Sequence, residues 1–293
     1  MEAYDLFPGC VIQNRIPYIE DSARKVFDKL GIKTSDAPFG CCPDPVGFNA
    51  VHHKSWTAMS ARNLTIAEND GRSIASLCNG CTQTLKAVNV ELKQNEEERA
   101  SINAILTKIG REFKGTISVK HFVQVLIEDV GIEKIKEAIT TPFTGLKVAC
   151  HTGCHYARPS HIMQWDDPME PKCLRELVEA TGATAVDYDE EVLCCGAGVG
   201  NTEEEPAMQI LKQKLDSALE AKADCFVVIC PACFQQMDGN QRILKKMFEK
   251  DYNIPILYLT ELFALAMGYK YDDLNLKLHR ARPQALLEKY NAV

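Results

Sequence analysis

The amino-acid sequence predicts an α/β protein. It comprises two similar α/β domains, related by internal duplication and a pseudo-twofold axis, each a mostly parallel sheet with flanking helices. Three observations predict it. Short apolar runs alternate with stretches whose apolar residues recur at helical spacing. A five-cysteine pattern occurs twice, as Cys10, Cys41-Cys42 and Cys78-Asn-Gly-Cys81, then as Cys154, Cys194-Cys195 and Cys230-Pro-Ala-Cys233. The spacings are C-x30-CC-x35-CxxC and C-x39-CC-x34-CxxC. A turn-rich segment, Thr141-Pro-Phe-Thr-Gly145, falls between the copies. The period of roughly 145–150 residues is too long for a solenoid. The expected domains are residues 1–144 and 145–293.

The elements follow in order. Tyr4 to Phe7 reads as a strand that delivers Cys10 through Pro8-Gly9. Pro17 to Leu30 carries Ile19, Ala23, Val26, Phe27 and Leu30 at helical spacing, with Gly31 as a stop. Pro38 to Pro45 is dense in turn residues. Ser55 to Glu68 reads as a helix, Ser73 to Leu77 as a buried strand ending at Cys78, and Thr82 onward as a helix. Asn95 to Arg99 is a solvated loop or a helix start. Thr116 to Lys120 is a strand and Phe122 to Ile139 a helix. The pattern then restarts. The strands are Leu146 to Cys150, Ala183 to Tyr188, Cys225 to Ile229 and Pro255 to Tyr258. The helices are Lys172 to Ala180, Glu203 to Ala221, Phe234 to Phe248 and Glu261 to Met267. The last twenty or so residues are polar and helical at best. Both cysteine sets fall at strand ends, where open α/β sheets place their sites, and are expected to face a common crevice.

Composition removes several function classes. At 293 residues and 46% hydrophobic the chain is globular, with enough length for a core in each half. A formal charge of −7 argues against a nucleic-acid surface. No uninterrupted apolar run approaches the ~18 residues of a membrane span, and Met1 to Cys10 holds no basic or cleavable apolar segment. A soluble, cytoplasmic protein is expected. Thirteen cysteines in that setting indicate metal or redox chemistry rather than a disulfide framework.

Adjacent cysteines are a poor way to build a core, because neighbouring side chains on a strand or helix point in different directions. Both sulfurs reach one object only if the backbone turns sharply or the object is large. The glycines after Cys195 permit such a turn. A four-thiolate zinc site is the plain alternative, but it leaves one thiolate spare in each half. An iron–sulfur cluster accommodates more thiolates and vicinal ones, and is favoured over zinc. A thioredoxin-like role for each CxxC leaves the other repeated cysteines idle.

Two copies of this motif resemble the CCG-domain proteins, most closely the B-subunit family of methanogen heterodisulfide reductases. The resemblance spans essentially the whole chain. It implies that each set holds a noncubane 4Fe-4S cluster. By position, the ligands are Cys10, Cys41, Cys42, Cys78 and Cys81 for one, and Cys154, Cys194, Cys195, Cys230 and Cys233 for the other. It also implies a small-molecule substrate, the mixed disulfide of coenzyme M and coenzyme B, cleaved between the clusters during methanogenesis. The implied partners are an iron–sulfur subunit and a flavin/iron–sulfur subunit, with a hydrogenase or formate dehydrogenase as electron source. Related CCG subunits serve glycolate, lactate and succinate oxidoreductases, so an iron–sulfur electron-transfer subunit is the competing function. A zinc-stabilised assembly protein is a third.

One position departs from the family pattern. The second set reads Cys194-Cys195-Gly196, whereas the first reads Cys41-Cys42-Pro43. Proline fixes φ where the pattern supplies glycine, so the first turn must differ. Either the clusters are inequivalent or the first site holds zinc; two clusters are favoured. His155, beside Cys154, is a candidate proton donor to a departing thiolate. His52, His53, Lys54, Arg158 and His161 are candidate cations for the sulfonate and phosphate of the implied substrate. Cys150 and Cys225 sit in apolar runs and are expected to be buried thiols, and Cys173 has no assigned role. GxGxxG is absent around Gly198 and Gly200, which excludes a dinucleotide loop there.

Overall fold

The structure is a computed structural model that describes residues 3–293. Two four-stranded sheets form, both entirely parallel and built the same way. The first contains β1 (Ala3–Phe7), β2 (Lys33–Ser35), β3 (Ser73–Ser76) and β4 (Val119–His121), in the order β2-β1-β3-β4. The second contains β5 (Lys147–His151), β6 (Thr184–Val186), β7 (Cys225–Val228) and β8 (Ile256–Tyr258), in the order β6-β5-β7-β8. The register repeats as well. Tyr4 pairs Ser73 and Phe7 pairs Ser76, as Val148 pairs Cys225 and His151 pairs Val228. The central strands β3 and β7 are buried at every position, because helices cover both faces of a parallel sheet.

The helices show how sequence becomes packing. Pro17 opens the helix Pro17–Leu30, where its missing N–H costs nothing. Ile19, Ala23, Val26, Phe27 and Leu30 form its buried stripe. Gly31 ends it in a left-handed conformation at φ 73°. Asn95 caps the helix Glu96–Leu106, accepting the Glu98 N–H at 3.0 Å.

Three expectations need correction. The stretch Phe122 to Ile139 is not one helix: an α turn at Phe122–Val125 and a π turn at Leu126–Val130 lead to Gly131, at φ 84°, before Ile132–Ala138. The helix expected at Phe234 starts at Pro231, ends at Gly239, and resumes as Gln241–Phe248. The C-terminal residues are not a polar fringe. Leu274, Leu276, His279, Ala281 and Leu287 are buried there.

The two halves interlock. The helix after β8, Leu259–Ala266, packs against Pro17–Leu30 of the first half, where Ser22 Oγ and Thr260 Oγ1 meet at 2.7 Å in a buried hydrogen bond. Reciprocally, Ile132–Ala138 packs against Cys173–Ala180 of the second half. One hydrophobic core therefore runs through both sheets, from Tyr4 and Leu6 to Val148 and Phe226. A smaller cluster around Trp56, Leu64, Leu85 and Ile102 belongs to the first half.

His279 ties the C-terminal segment to this arrangement. Its Nε2 lies 3.0 Å from Glu261 Oε1 and its Nδ1 3.1 Å from the Ile256 carbonyl, with both side chains buried. Burial opposes the imidazolium, but Glu261, Asp238 and the Ile256 carbonyl outweigh it and raise the pKa above 6.5. A raised folded pKa means protons are bound more tightly by the folded chain. The stabilisation is complete below pH 6.5 and is lost as pH rises through the folded value. His279→Gln should remove that part of the pH dependence of thermal unfolding, and an identical pH profile in parent and variant would refute the assignment.

Candidate metal centre

Both cysteine sets are assembled by the same local geometry. After β1 the chain turns at Gly9, φ 82°, and Cys10 opens the helix Cys10–Arg15. After β5 it turns at Gly153, φ 79°, just before Cys154. A Cβ at Gly9 would lie 2.9 Å from Cys81 Sγ, and one at Gly153 would lie 2.9 Å from Asn79 Nδ2 and 3.2 Å from Cys233 Sγ. The turns therefore require glycine to let backbone approach the thiols. Cys78 and Cys230 are the N-cap residues of Asn79–Gln94 and Pro231–Gly239, in nearly the same extended conformation. Cys81 and Cys233 follow one turn later on the buried side. Helix N-termini favour anionic sulfur. Cys230 is accordingly held well below its ordinary value, by hydrogen bonds from Cys233 and Cys78 and then by the N–H groups of Cys233 and Ala232.

The vicinal pairs arrive on loops held in different ways. Gly196 takes φ 87° after Cys195, and a Cβ there would sit 2.7 Å from the Ala207 carbonyl oxygen. Pro43 follows Cys42 without a positive φ, and Asp44 instead caps the next turn, accepting the Val46 N–H at 3.0 Å. The expected difference between the two turns is present. Asn63 fixes the first loop by accepting the Gly40 N–H at 2.9 Å and donating to the Cys41 carbonyl at 3.0 Å. The buried Lys214 fixes the second by donating to the carbonyls of Glu190 and Glu191.

The thiols converge. In the second set, hydrogen-bonded contacts run from Cys154 to Cys194, Cys195, Cys233 and Cys230. Cys194 is the acceptor of the group. Donation from Cys154 and Cys195, together with the Gly196 N–H at 3.3 Å, pulls it down to about 2. Cys195 is pushed up to about 12 by its bond to Cys194. In the first set Cys42 and Cys81 Sγ atoms stand 2.7 Å apart, Cys81 contacts Cys78, and Cys41 contacts Cys10. Cys10 and Cys41 are exposed and border a cavity of about 450 Å³ that also includes Phe7, Gln13, Arg24 and Phe39.

The sets meet each other between the halves. Cys78 hydrogen-bonds Cys230, so the two CxxC turns abut. Asn79 Nδ2 donates to the Thr152 carbonyl of the other half at 2.5 Å. Tyr258, fully buried at the end of β8, directs its hydroxyl at the carbonyls of Leu77 and Ile229, the residues preceding Cys78 and Cys230. His155 Nδ1 hydrogen-bonds Gln83 of the first half, which ties the residue after Cys154 across the two halves.

Two residues of this region escaped the sequence. His151 ends β5, and its ring nitrogen falls within 4.8 Å of Cys195 and Cys233 Sγ. Both of its ring nitrogens lack a hydrogen-bond partner, and burial pulls it down to about 3, leaving a neutral imidazole. The matching position at the end of β1 is Phe7, packed at 4.9 Å on Phe39. Lys214 is the second, and its signal was a lysine on the apolar stripe Ala207, Leu211, Leu215 and Ala218.

The remaining candidates divide. Arg158 donates to the Val192 carbonyl at 3.1 Å, and its charge acts on Cys154. His52 caps its helix by accepting from the Ser55 N–H at 3.2 Å, and His53 bonds Asn49 and Glu91. These two are engaged away from the thiols. Lys54 and His161 are exposed. Cys150 and Cys225 are buried in β5 and β7, as their apolar surroundings predict. Cys173 begins a helix, its N–H donating to Asp166 at 3.1 Å.

The five linked thiols of the second set, with the nitrogens of His151 beside them, fit a soft-metal centre, and so do Cys42, Cys78 and Cys81 of the first, with Cys10 and Cys41 as a separate exposed pair. The profile of the CCG cysteine-rich domain matches residues 4–86 and 148–238. The chain belongs to the CCG cysteine-rich family. It is 38% identical over 292 residues to the B subunit of the ferredoxin:CoB-CoM heterodisulfide reductase of Methanosarcina mazei, covering 99% of this chain and 97% of that one. It is 40% identical over 280 residues to the B subunit of the ferredoxin/F(420)H(2)-dependent CoB-CoM heterodisulfide reductase of Methanosarcina acetivorans, covering 94% and 93%. Within the CCG family it therefore falls in the heterodisulfide reductase B-subunit group. It is also 28% identical to the membrane anchor subunit of the 8-methylmenaquinol:fumarate reductase of Wolinella succinogenes, covering 93% and 95%. Among the described residues no helix is long and apolar enough to cross a membrane. The fold matches a solved hypothetical protein from Helicobacter pylori with a TM-score of 0.76 at 19% identity, covering 96% of this chain and 52% of that one.

Tyr258→Phe should cost about 1–3 kcal/mol of stability, since two buried carbonyls lose their shared donor. Denaturant unfolding measures it, and an unchanged midpoint would show that the hydroxyl holds nothing.

Proposed function

We propose that the chain is the subunit that reduces the coenzyme M–coenzyme B heterodisulfide to its two thiols, between two noncubane 4Fe-4S clusters. The observation that carries this is the abutment of the two thiol sets through Cys78 and Cys230. A disulfide has two sulfur ends, and two metal sites facing each other give each end an acceptor. When bound, the clusters would supply the electrons and the iron that receives sulfur. Cys10, Cys41, Cys42, Cys78 and Cys81 would hold one, and Cys154, Cys194, Cys195, Cys230 and Cys233 the other. Residues 1–144 and 145–293 would be the two duplicated units.

The chain's own residues supply position and protons. Gly9 and Gly153, lacking a Cβ, let the backbone run close to the thiols without a clash. The contacts of Tyr258 and Asn79 support a fixed separation between the sites. Arg158, beside the second set, is the cation best placed to receive an anionic substrate arm. His155, held by Gln83, is the group best placed to carry a proton to a departing thiolate. The electrons would come from an iron–sulfur subunit and a flavin/iron–sulfur subunit fed by a hydrogenase or formate dehydrogenase.

The likeness to the fumarate reductase subunit of Wolinella succinogenes favours one second reading, an electron-transfer subunit without a substrate of its own. Anaerobically purified protein should be brown and contain about eight irons per chain with matching acid-labile sulfide. Zinc without iron would discard both readings. Adding coenzyme M to the oxidised protein should produce a paramagnetic signal broadened by iron-57. Its absence from a fully loaded preparation would select the electron-transfer role. Cys41→Ser with Cys42→Ser, or Cys194→Ser with Cys195→Ser, should abolish disulfide cleavage and remove roughly half the iron in a folded chain. Near-parent cleavage by the first double variant, driven by an artificial reductant, would confine the chemistry to the second set.

A further inference from the structure

The two halves repeat their strands and thiols but not their charge. The helix between β2 and β3, His53–Asp70, buries Trp56, Ser60, Ala61, Asn63 and Leu64, with no charged side chain among its buried residues. Its counterpart between β6 and β7, Glu204–Glu220, buries Lys214. Lys214 is 0% exposed. Its Nζ donates to two neutral carbonyls, those of Glu190 and Glu191, and stands 5.4 Å from the centroid of the Tyr188 ring. Among the described residues no carboxylate lies within ion-pair distance of it. A buried ammonium without an anion is among the costliest arrangements in a protein.

The missing anion is close at hand. The loop that Lys214 holds runs directly into Cys194 and Cys195. Burial pulls Lys214 down to about 8, and the thiols of Cys233 and Cys195 oppose this more strongly than Glu190 or Glu191. Two accepting carbonyls and the face of the Tyr188 ring receive its Nζ, partners that favour the ammonium form. The first loop is fastened by Asn63, an uncharged amide, in the same structural place.

We propose that Lys214 is a positioning residue that serves as the built-in counter-ion of the second cysteine set, making the cluster held there the easier of the two to reduce. The proposal rests on the two-cluster reading given above. A cluster gains negative charge when it accepts an electron. A fixed positive charge in a water-free environment stabilises that reduced state and raises the reduction potential. The cations at the first set are of another kind: Arg24, on the Cys10–Cys41 cavity, is paired with Glu20 and Asp36, and Arg62, beside Asn63, is only partly buried, while Phe7 and Asn63 present neutral groups. Electrons entering the pair would then collect on the second set.

The test uses the full chain, loaded anaerobically, as parent, Lys214→Met and Lys214→Arg. Circular dichroism and iron content are measured first, then an EPR-monitored redox titration of both clusters. In Lys214→Met the reduced-to-oxidised ratio of the second cluster should fall about tenfold at fixed potential, which is 59 mV for a one-electron couple, with the first cluster unmoved. Lys214→Arg, which changes the donor geometry but keeps the charge, should stay close to the parent. Loss of the second cluster from Lys214→Met alone would overturn the proposal, since methionine lacks the hydrogen bonds to the Glu190 and Glu191 carbonyls as well as the charge, and the lysine would then be a support for the loop. Equal shifts in both variants, no shift in Lys214→Met, or loss of the cluster from both would overturn it. A parent chain with no second cluster would remove the two-cluster reading itself and the proposal with it, a result distinct from the others.

Discussion

The Cys78–Cys230 contact brings two Cys-x-x-Cys turns together in a largely buried place, and the surrounding architecture answers the cost of doing so. Buried sulfur that carries charge must be met by donors. Each turn starts a helix, and at Cys230 the N–H groups of Ala232 and Cys233 reach the thiol. Each helix in turn needs a central strand to aim it, which β3 and β7 provide. The strand-terminal carbonyls of Leu77 and Ile229 would repel each other across the contact. The Tyr258 hydroxyl placed between them removes the difficulty for both.

The halves share a backbone plan and differ in what surrounds it. Phe7 and Asn63 border the first set; His151 and Lys214 border the second. The first set also opens on the cavity at Cys10 and Cys41, while Cys195, Cys230 and Cys233 are buried. Duplication thus kept the ligand geometry and allowed the dielectric and the charge to diverge.

Much of this was legible in the sequence because the central strands are self-announcing. β1, β3, β5 and β7 are compact apolar runs ending next to a cysteine motif. The edge strand β2, Lys33–Ser35, has three residues, none buried, so no run marked it. The single helix expected after β4 failed at Gly131, whose φ of 84° no ordinary helical residue adopts. The C-terminal burial was invisible for another reason. Leu274, Leu276, His279 and Leu287 lie in short irregular segments, which have no period to detect. His151 was missed because attention to cysteine spacing hides a histidine three residues upstream of Cys154 whose ring nitrogen lies near Cys195 and Cys233. The meeting of the two sets was an expectation from duplication alone; the contacts that make it, from Asn79 to Thr152 and from Tyr258 to Leu77, join residues no local pattern connects.

The exchange of helices between halves has a consequence for how the protein is made. Ser22 finds Thr260 only 238 residues later in the chain. At about 5–20 residues per second, the apolar stripe of Pro17–Leu30 waits on the order of ten seconds or more for its cover during synthesis. Cys10, Cys41, Cys42, Cys78 and Cys81 are all synthesised before the second half of their enclosure exists. The first half therefore completes its packing only after the C-terminal helices are released.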